Sequence, residues 1–181
     1  MRSGKFIRSF SVKDGRRVVL RTPRWEDLDD FLELINSLVY EADILRTERV
    51  SREEEIDFLS KVLSRLEKDE MFYLIAEVDG KVVAVSEVSK RTGYEKHVGV
   101  IGIAIKSGFR DLGIGTEMME TLIEQAQEMG LKVLTVSAFA TNTRAIHTYE
   151  KVGFVQTGRV PKKYFKEGKY IDEIIMTKLL E

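Results

Sequence analysis

The chain has 181 residues, 43% of them hydrophobic, enough for one sizeable core, and a formal charge of −1 that gives no bulk attraction to nucleic acid. It has no cysteine, which excludes disulfides, thiolate metal sites and a cysteine acyl-enzyme, and its two histidines, His97 and His147, are too few for an ordinary zinc centre. No apolar run approaches membrane-span length and Met1–Phe10 carries no secretory pattern, so the expectation is a single cytoplasmic domain over residues 1–181, without metal, nucleic-acid or membrane partners.

Val18–Arg21 predicts a first strand, and Thr22-Pro23 a helix start with proline at the first helical position and Trp25, Leu28, Phe31, Leu32, Ile35 and Val39 on one face. Ser51 and Glu54 predict a capping box for a second helix buried through Ile56, Leu59, Leu63 and Leu66. Met71–Val78 and Lys81–Lys90 alternate around Asp79-Gly80, a hairpin signal. Arg91–Glu95 then leads to Val98–Ile105, nearly all apolar, as expected of a strand covered on both faces. Ile114, Met118, Leu122, Ala126 and Met129 recur at helical spacing up to a capping Gly130. Val133–Ala138 reads as a strand and Asn142 as the N-cap of a short helix through Ala145, Ile146 and Tyr149 that ends at Gly153-Phe154. Val155–Lys163 and Lys169–Leu180 read as a closing hairpin around Glu167-Gly168. The fold class is therefore α/β (α+β), a mixed, mostly antiparallel central sheet with helices on both faces.

The run Phe109-Arg110-Asp111-Leu112-Gly113-Ile114-Gly115-Thr116 falls at a strand-to-helix turn, where the first amides of the helix have no intrahelical partner and its dipole favours an anion. A diphosphate fits there: Gly113 and Gly115 let phosphate oxygens reach the amides, while Arg110 and Thr116 offer a charge and a hydroxyl. The Lys-Ser/Thr of a P-loop is missing, and Met118 stands where a dinucleotide fingerprint has its third glycine. A merely structural glycine turn is the bland alternative.

Arg110-x-x-Gly113-x-Gly115-Thr116, followed by Asn142, Ala145, Tyr149, Glu150, Lys151, Gly153 and Phe154 in that order, resembles the two consecutive acyl-CoA motifs of the GNAT superfamily of N-acetyltransferases. The likeness runs more weakly from about Val18 to the C-terminus. It implies acetyl transfer from acetyl-CoA to a primary amine, of a small molecule or a peptide N-terminus, by direct attack in a ternary complex, and it is compatible with a homodimer. The coenzyme would be bound by Arg110, Asp111, Leu112, Gly113, Ile114, Gly115 and Thr116, with Asn142, Ala145 and Tyr149 beside the thiol. The acetyl carbonyl would be held by main-chain amides of Ile103, Ala104 and Ile105. Gly102 is where a bulge would open the strand, or simply a small residue in close packing.

Tyr149 is by resemblance the partner of the leaving thiol; an aromatic sharing a helix face with Ile146 and Val152 could equally pack. Many relatives place a catalytic carboxylate in the long strand, but Val100 occupies that place here. Glu87, expected on the Val83/Val85 face, is the alternative base, against a strand-end charge reaching solvent; His97 ranks below it, and ordered water or no dedicated base stays open. The acceptor amine would enter past Tyr40–Val50 and Pro161–Tyr170, where Glu41, Asp43 and Glu48 could attract a cation and Lys162, Lys163, Lys166 and Lys169 an anion. A non-catalytic acyl-CoA sensor or scaffold is the competing function.

Overall fold

The computed structural model describes residues 2–39, 41 and 48–181; Asp43 and most of the 40–50 stretch lie outside the described residues. Its eight strands form one sheet in the order β1-β2-β3-β4-β5-β6-β8-β7. They are β1 (Phe6–Ser11), β2 (Arg17–Arg21), β3 (Met71–Val78), β4 (Lys81–Lys90), β5 (Val98–Ile105), β6 (Val133–Phe139), β7 (Val155–Lys166) and β8 (Lys169–Leu179). All pairings are antiparallel except β5 with β6. The two hairpins close as their sequences demand: Asp79 and Gly80 have φ of 50° and 75°, Glu167 and Gly168 of 51° and 77°, the paired left-handed residues of a type I′ turn.

Helices cover both faces. Helices α1 (Leu28–Leu38) and α2 (Arg52–Glu67) seal one side, burying Phe31, Leu34, Leu38, Leu59 and Val62 against Met71, Tyr73, Ile75 and Val82. On the other side, α3 (Ile114–Glu128) and α4 (Thr143–Lys151) pack Met118, Met119, Leu122 and Tyr149 over Leu74, Val88, Leu134 and Val136. No helix among the described residues is long and apolar enough to cross a membrane.

Four local expectations need correction. β1 had no periodic signal, its residues being only half covered at a sheet edge. The first helix begins at Leu28, not at Pro23, because Trp25–Asp27 forms a 3-10 turn in which the Asp27 carboxylate accepts from the Arg24 amide at 2.9 Å. That carboxylate also takes both terminal nitrogens of Arg21 at 2.6 and 2.8 Å, so a buried ion pair sets the entry. Helix α2 has the expected capping box, Ser51 amide to Glu54 Oε2 at 2.8 Å and Glu54 amide to Ser51 Oγ at 3.2 Å, and buries Leu59, Leu63 and Leu66 as expected, but Glu55 and Val62 join them and Ile56 is left exposed. Finally, β3 and β4 slip register between Ala76 and Glu77, which sends Val83 to the α3 face while Val85 stays under α1 with Val82.

The slip leaves Ser86 on the α3 side, 2% exposed, with a hydroxyl that has no hydrogen-bond partner among the described residues. An unmatched buried hydroxyl costs about 1–3 kcal/mol. Ser86→Ala should therefore raise unfolding stability by roughly 1 kcal/mol, read as a higher denaturant midpoint at constant slope; a lower midpoint would show that the hydroxyl is satisfied.

Candidate active site

The sheet opens at its single parallel seam. β5 pairs with β6 only from Val98↔Val133 to Val100↔Thr135, whereas β5 continues along β4 to Ala84↔Ile105 and β6 along β8 to Phe139↔Glu173. Beyond Val100 the two strands diverge, and a cavity of about 620 Å³ fills the gap. Ile101–Ile105 form one wall and Val136–Phe139 the other. No bulge interrupts β4–β5 at Gly102. The glycine packed too tightly for a side chain is Gly99, where an added Cβ would lie 2.8–2.9 Å from Val88, Leu131 and Leu134.

The glycine turn closes one end of the cavity. Gly113, with φ of 96°, is the N-cap of α3 and no side chain caps the helix, so its first amides face the cavity beside Gly115 and Thr116. Arg110 and Asp111 line the same end. Leu112 and Ile114 do not: Ile114 is 1% exposed in the core and Leu112 packs against it. Arg110 is held in place: its Nε donates to the Ile105 carbonyl at 2.9 Å and its Nη2 pairs with Glu41. It ties the turn to the end of β5.

The α4 side supplies what sequence reading missed. Arg144, His147, Thr148 and Lys151 lie at i, i+3, i+4 and i+7, and all four line the cavity, as does Lys13 from the β1–β2 turn. The helical spacing was visible in the sequence; Lys13 had no local signal. Asn142 caps α4 through Oδ1 to the Ala145 amide at 3.1 Å, and both residues line the cavity. Gly153, with φ of 90°, ends the helix, and the Phe154 amide returns to the Tyr149 carbonyl at 3.0 Å.

Tyr149 is the buried residue of α4, and its ring lies 6.3 Å from that of Phe154 while it also lines the cavity. Burial pushes its hydroxyl up to about 12. Packing and access to the cavity are thus combined in one side chain.

Glu87 does not line the cavity. It stands under α2, opposite Tyr73 on β3 and Gly102 on β5, and a Cβ at Gly102 would lie 3.6 Å from its carboxylate. Gly102 itself lines the cavity, so the carboxylate lies beside one residue of the β5 wall. Burial raises the Glu87 carboxyl above its usual range, opposed by the charge of Arg65. His97 sits before β5, at the far end from the opening, and its carbonyl accepts from Lys132 and Val133. Of the charged runs at the acceptor side, Glu41 joins Arg110 and receives Lys166 Nζ on its carbonyl at 2.7 Å. Glu48 is exposed. Among the described residues no group of three His, Asp or Glu is arranged to hold a metal.

A family model described as the acetyltransferase (GNAT) family matches residues 30–154. The chain is 29% identical over 102 residues to a probable N-acetyltransferase, camello, of Xenopus tropicalis, covering 54% of this chain and about half (47%) of that one. It is 25% identical over 168 residues to an N-alpha-acetyltransferase of Sulfurisphaera tokodaii, covering 87% of this chain and 92% of that one. The fold is similar to the crystal structure of a ribosomal-protein-alanine N-acetyltransferase from Brucella melitensis, with a TM-score of 0.79 and 26% identity over 89% of this chain and 99% of the other.

Proposed function

The chain belongs to the acetyltransferase (GNAT) family and is an acetyl-CoA-dependent acyltransferase, and from that premise we propose that it acetylates the α-amino group of a polypeptide or small amine by direct attack in a ternary complex. The observation that carries this reading is the divergence of β5 from β6 into a cavity that brings the uncapped start of α3 and Tyr149 to the same space. The likeness to an N-alpha-acetyltransferase and a ribosomal-protein-alanine N-acetyltransferase supports an α-amino acceptor.

In this mechanism the pyrophosphate of acetyl-CoA rests on the amides after Gly113, with Lys13, Arg144 and Lys151 neutralising phosphate charge. The acetyl group extends into the gap, where the main-chain amides of Ile103 and Ile105, on the edge of β5 turned away from β4, polarise its carbonyl. The amine attacks, the C–N bond forms, the C–S bond breaks and Tyr149 hydrogen-bonds the departing sulfur. Glu87 takes an amine proton through a water held in the space that Gly102 leaves.

Free CoA thiol should be released when the protein meets acetyl-CoA with alanyl peptides, amino-acid amides or polyamines. Tight acetyl-CoA binding without thiol release from any of them would make the chain a sensor instead.

The Glu87 assignment carries its own sign. A carboxyl whose folded pKa is raised penalises the folded state once pH exceeds the unfolded value, and below that value both states are protonated and the penalty vanishes. Glu87→Gln should therefore stabilise the fold at pH 7 but not at pH 4, while losing the acidic limb of the kcat/KM profile, where activity falls as the carboxylate protonates. An unchanged profile would leave Glu87 a structural residue.

A further inference from the structure

The cavity wall holds a tyrosine whose hydrogen-bonding direction is fixed. Tyr164, on β7, lines the cavity and donates its hydroxyl proton to Glu173 Oε1 at 2.7 Å. A phenol has one proton to give, so with that proton committed to Glu173 the oxygen can only accept from the cavity side. The geometry is built into the sheet. Phe139 meets the Tyr164 ring edge-on at 4.7 Å and 65°, and Phe139 and Glu173 are directly paired across β6 and β8. Glu173 is largely buried, its side chain 13% exposed, with Lys163 Nζ at 3.9 Å.

Resting on the amine-acetylation reading above, we infer that Tyr164, oriented by Glu173, receives the acceptor's ammonium group at the cavity wall, so that the pair selects cationic primary amines over neutral or anionic acceptors. Tyr164 is the contact and Glu173 the residue that positions it. Partial burial, then the Glu173 hydrogen bond, pushes the phenol to about 12, so its proton stays in place through the neutral range. Apart from Lys163, whose Nζ lies 3.9 Å from Glu173 Oε2, the surrounding charges are engaged elsewhere. Arg159 pairs with Asp172 at 2.6 Å, Asp172 also accepts from the Lys162 amide at 2.7 Å, and Lys162 Nζ lies 5.6 Å from the centre of the Tyr170 ring. Across the cavity, Glu41 is held by Arg110, with Lys166 on its carbonyl. His147, the imidazole on the cavity wall, is shared by every variant below.

The test uses the full chain saturated with CoA, which has no acetyl group to transfer, titrated with L-alaninamide by calorimetry at pH 6.5 and 9.5, either side of an α-amine ionisation near ~8. The native protein should bind the amine about tenfold more tightly at the lower pH. A hydrogen bond to a charged group is worth roughly a 10- to 100-fold change in affinity, so Tyr164→Phe and Glu173→Gln should lose about that much at pH 6.5 and lose the pH trend, with CoA affinity unchanged. In Glu173→Gln the amide can donate to the phenol, which turns the phenol proton toward the cavity. Folded variants with native affinity and the native trend overturn the inference, as does tighter native binding at pH 9.5. Thiol release from acetyl-CoA with alaninamide, run beside it, separates the two readings. Turnover with unaffected variants removes the Tyr164–Glu173 role alone, whereas amines that neither bind nor react remove the amine reading with it.

Discussion

Valine at Gly115 is expected to weaken acetyl-CoA binding about a hundredfold or more while leaving the fold intact. Gly115 stands in the first turn of α3 on the cavity wall, and its backbone is in a conformation open to any residue, so the change does not act through strain. An added Cβ would already lie 3.2 Å from Ile105 Cδ1 and 3.7 Å from Thr148 Cγ2, so the two valine methyls can only project into the space the phosphates need. The amides at the helix start would then be screened from the anion they are placed to meet. A hundredfold loss corresponds to about 2.7 kcal/mol. Calorimetry with acetyl-CoA measures it, Gly115→Ala should fall between the two, and native affinity in a folded valine variant would remove the turn from the coenzyme site.

Tyr149→Phe should keep acetyl-CoA affinity and lose turnover by about 10- to 100-fold. A general acid is worth about 10²–10⁴-fold, but the hydroxyl at about 12 is a poor donor of a whole proton to a thiolate whose conjugate acid lies near ~8.5. Complete transfer is uphill by roughly 5 kcal/mol, so the phenol contributes a hydrogen bond and the loss belongs at the lower end. The same pKa means that Tyr149 does not titrate in the working range. Its removal should therefore lower kcat at every pH without changing the shape of the profile, unlike Glu87→Gln. Full turnover in a folded phenylalanine variant would leave Tyr149 as a partner of Phe154 alone.

The features legible in the sequence were those fixed by neighbours along the chain. Both Asp/Glu-Gly hairpins, the Ser51–Glu54 box, the Asn142 cap and the glycine turn each depend on a few adjacent dihedrals and one or two local hydrogen bonds. What escaped depends on partners distant in sequence. The register slip that turns Val83 to the other face is a property of two strands together, and α2 buries Glu55 rather than Ile56 because the sheet beneath decides which side is inside. The pairing of Arg110 with Glu41, 69 residues away, gave no local signal. Lys13 and the Tyr164–Glu173 pair were invisible for the same reason. Gly102 was singled out for a bulge or for close packing, yet β4–β5 runs through it without a bulge and the tight packing falls on Gly99.

The single parallel seam has an evolutionary reading. The strands that part there, β5 and β6, and the helices α3 and α4 that follow them occupy one continuous stretch, from Val98 to Lys151, while Glu41 and Tyr164 reach the cavity from either side of it. Most of the cavity wall therefore comes from one stretch of the gene, with Lys13, Glu41 and Tyr164 added from outside it. Under the function proposed above, variation at Tyr164 can alter acceptor choice while the glycine turn and α4 stay as they are.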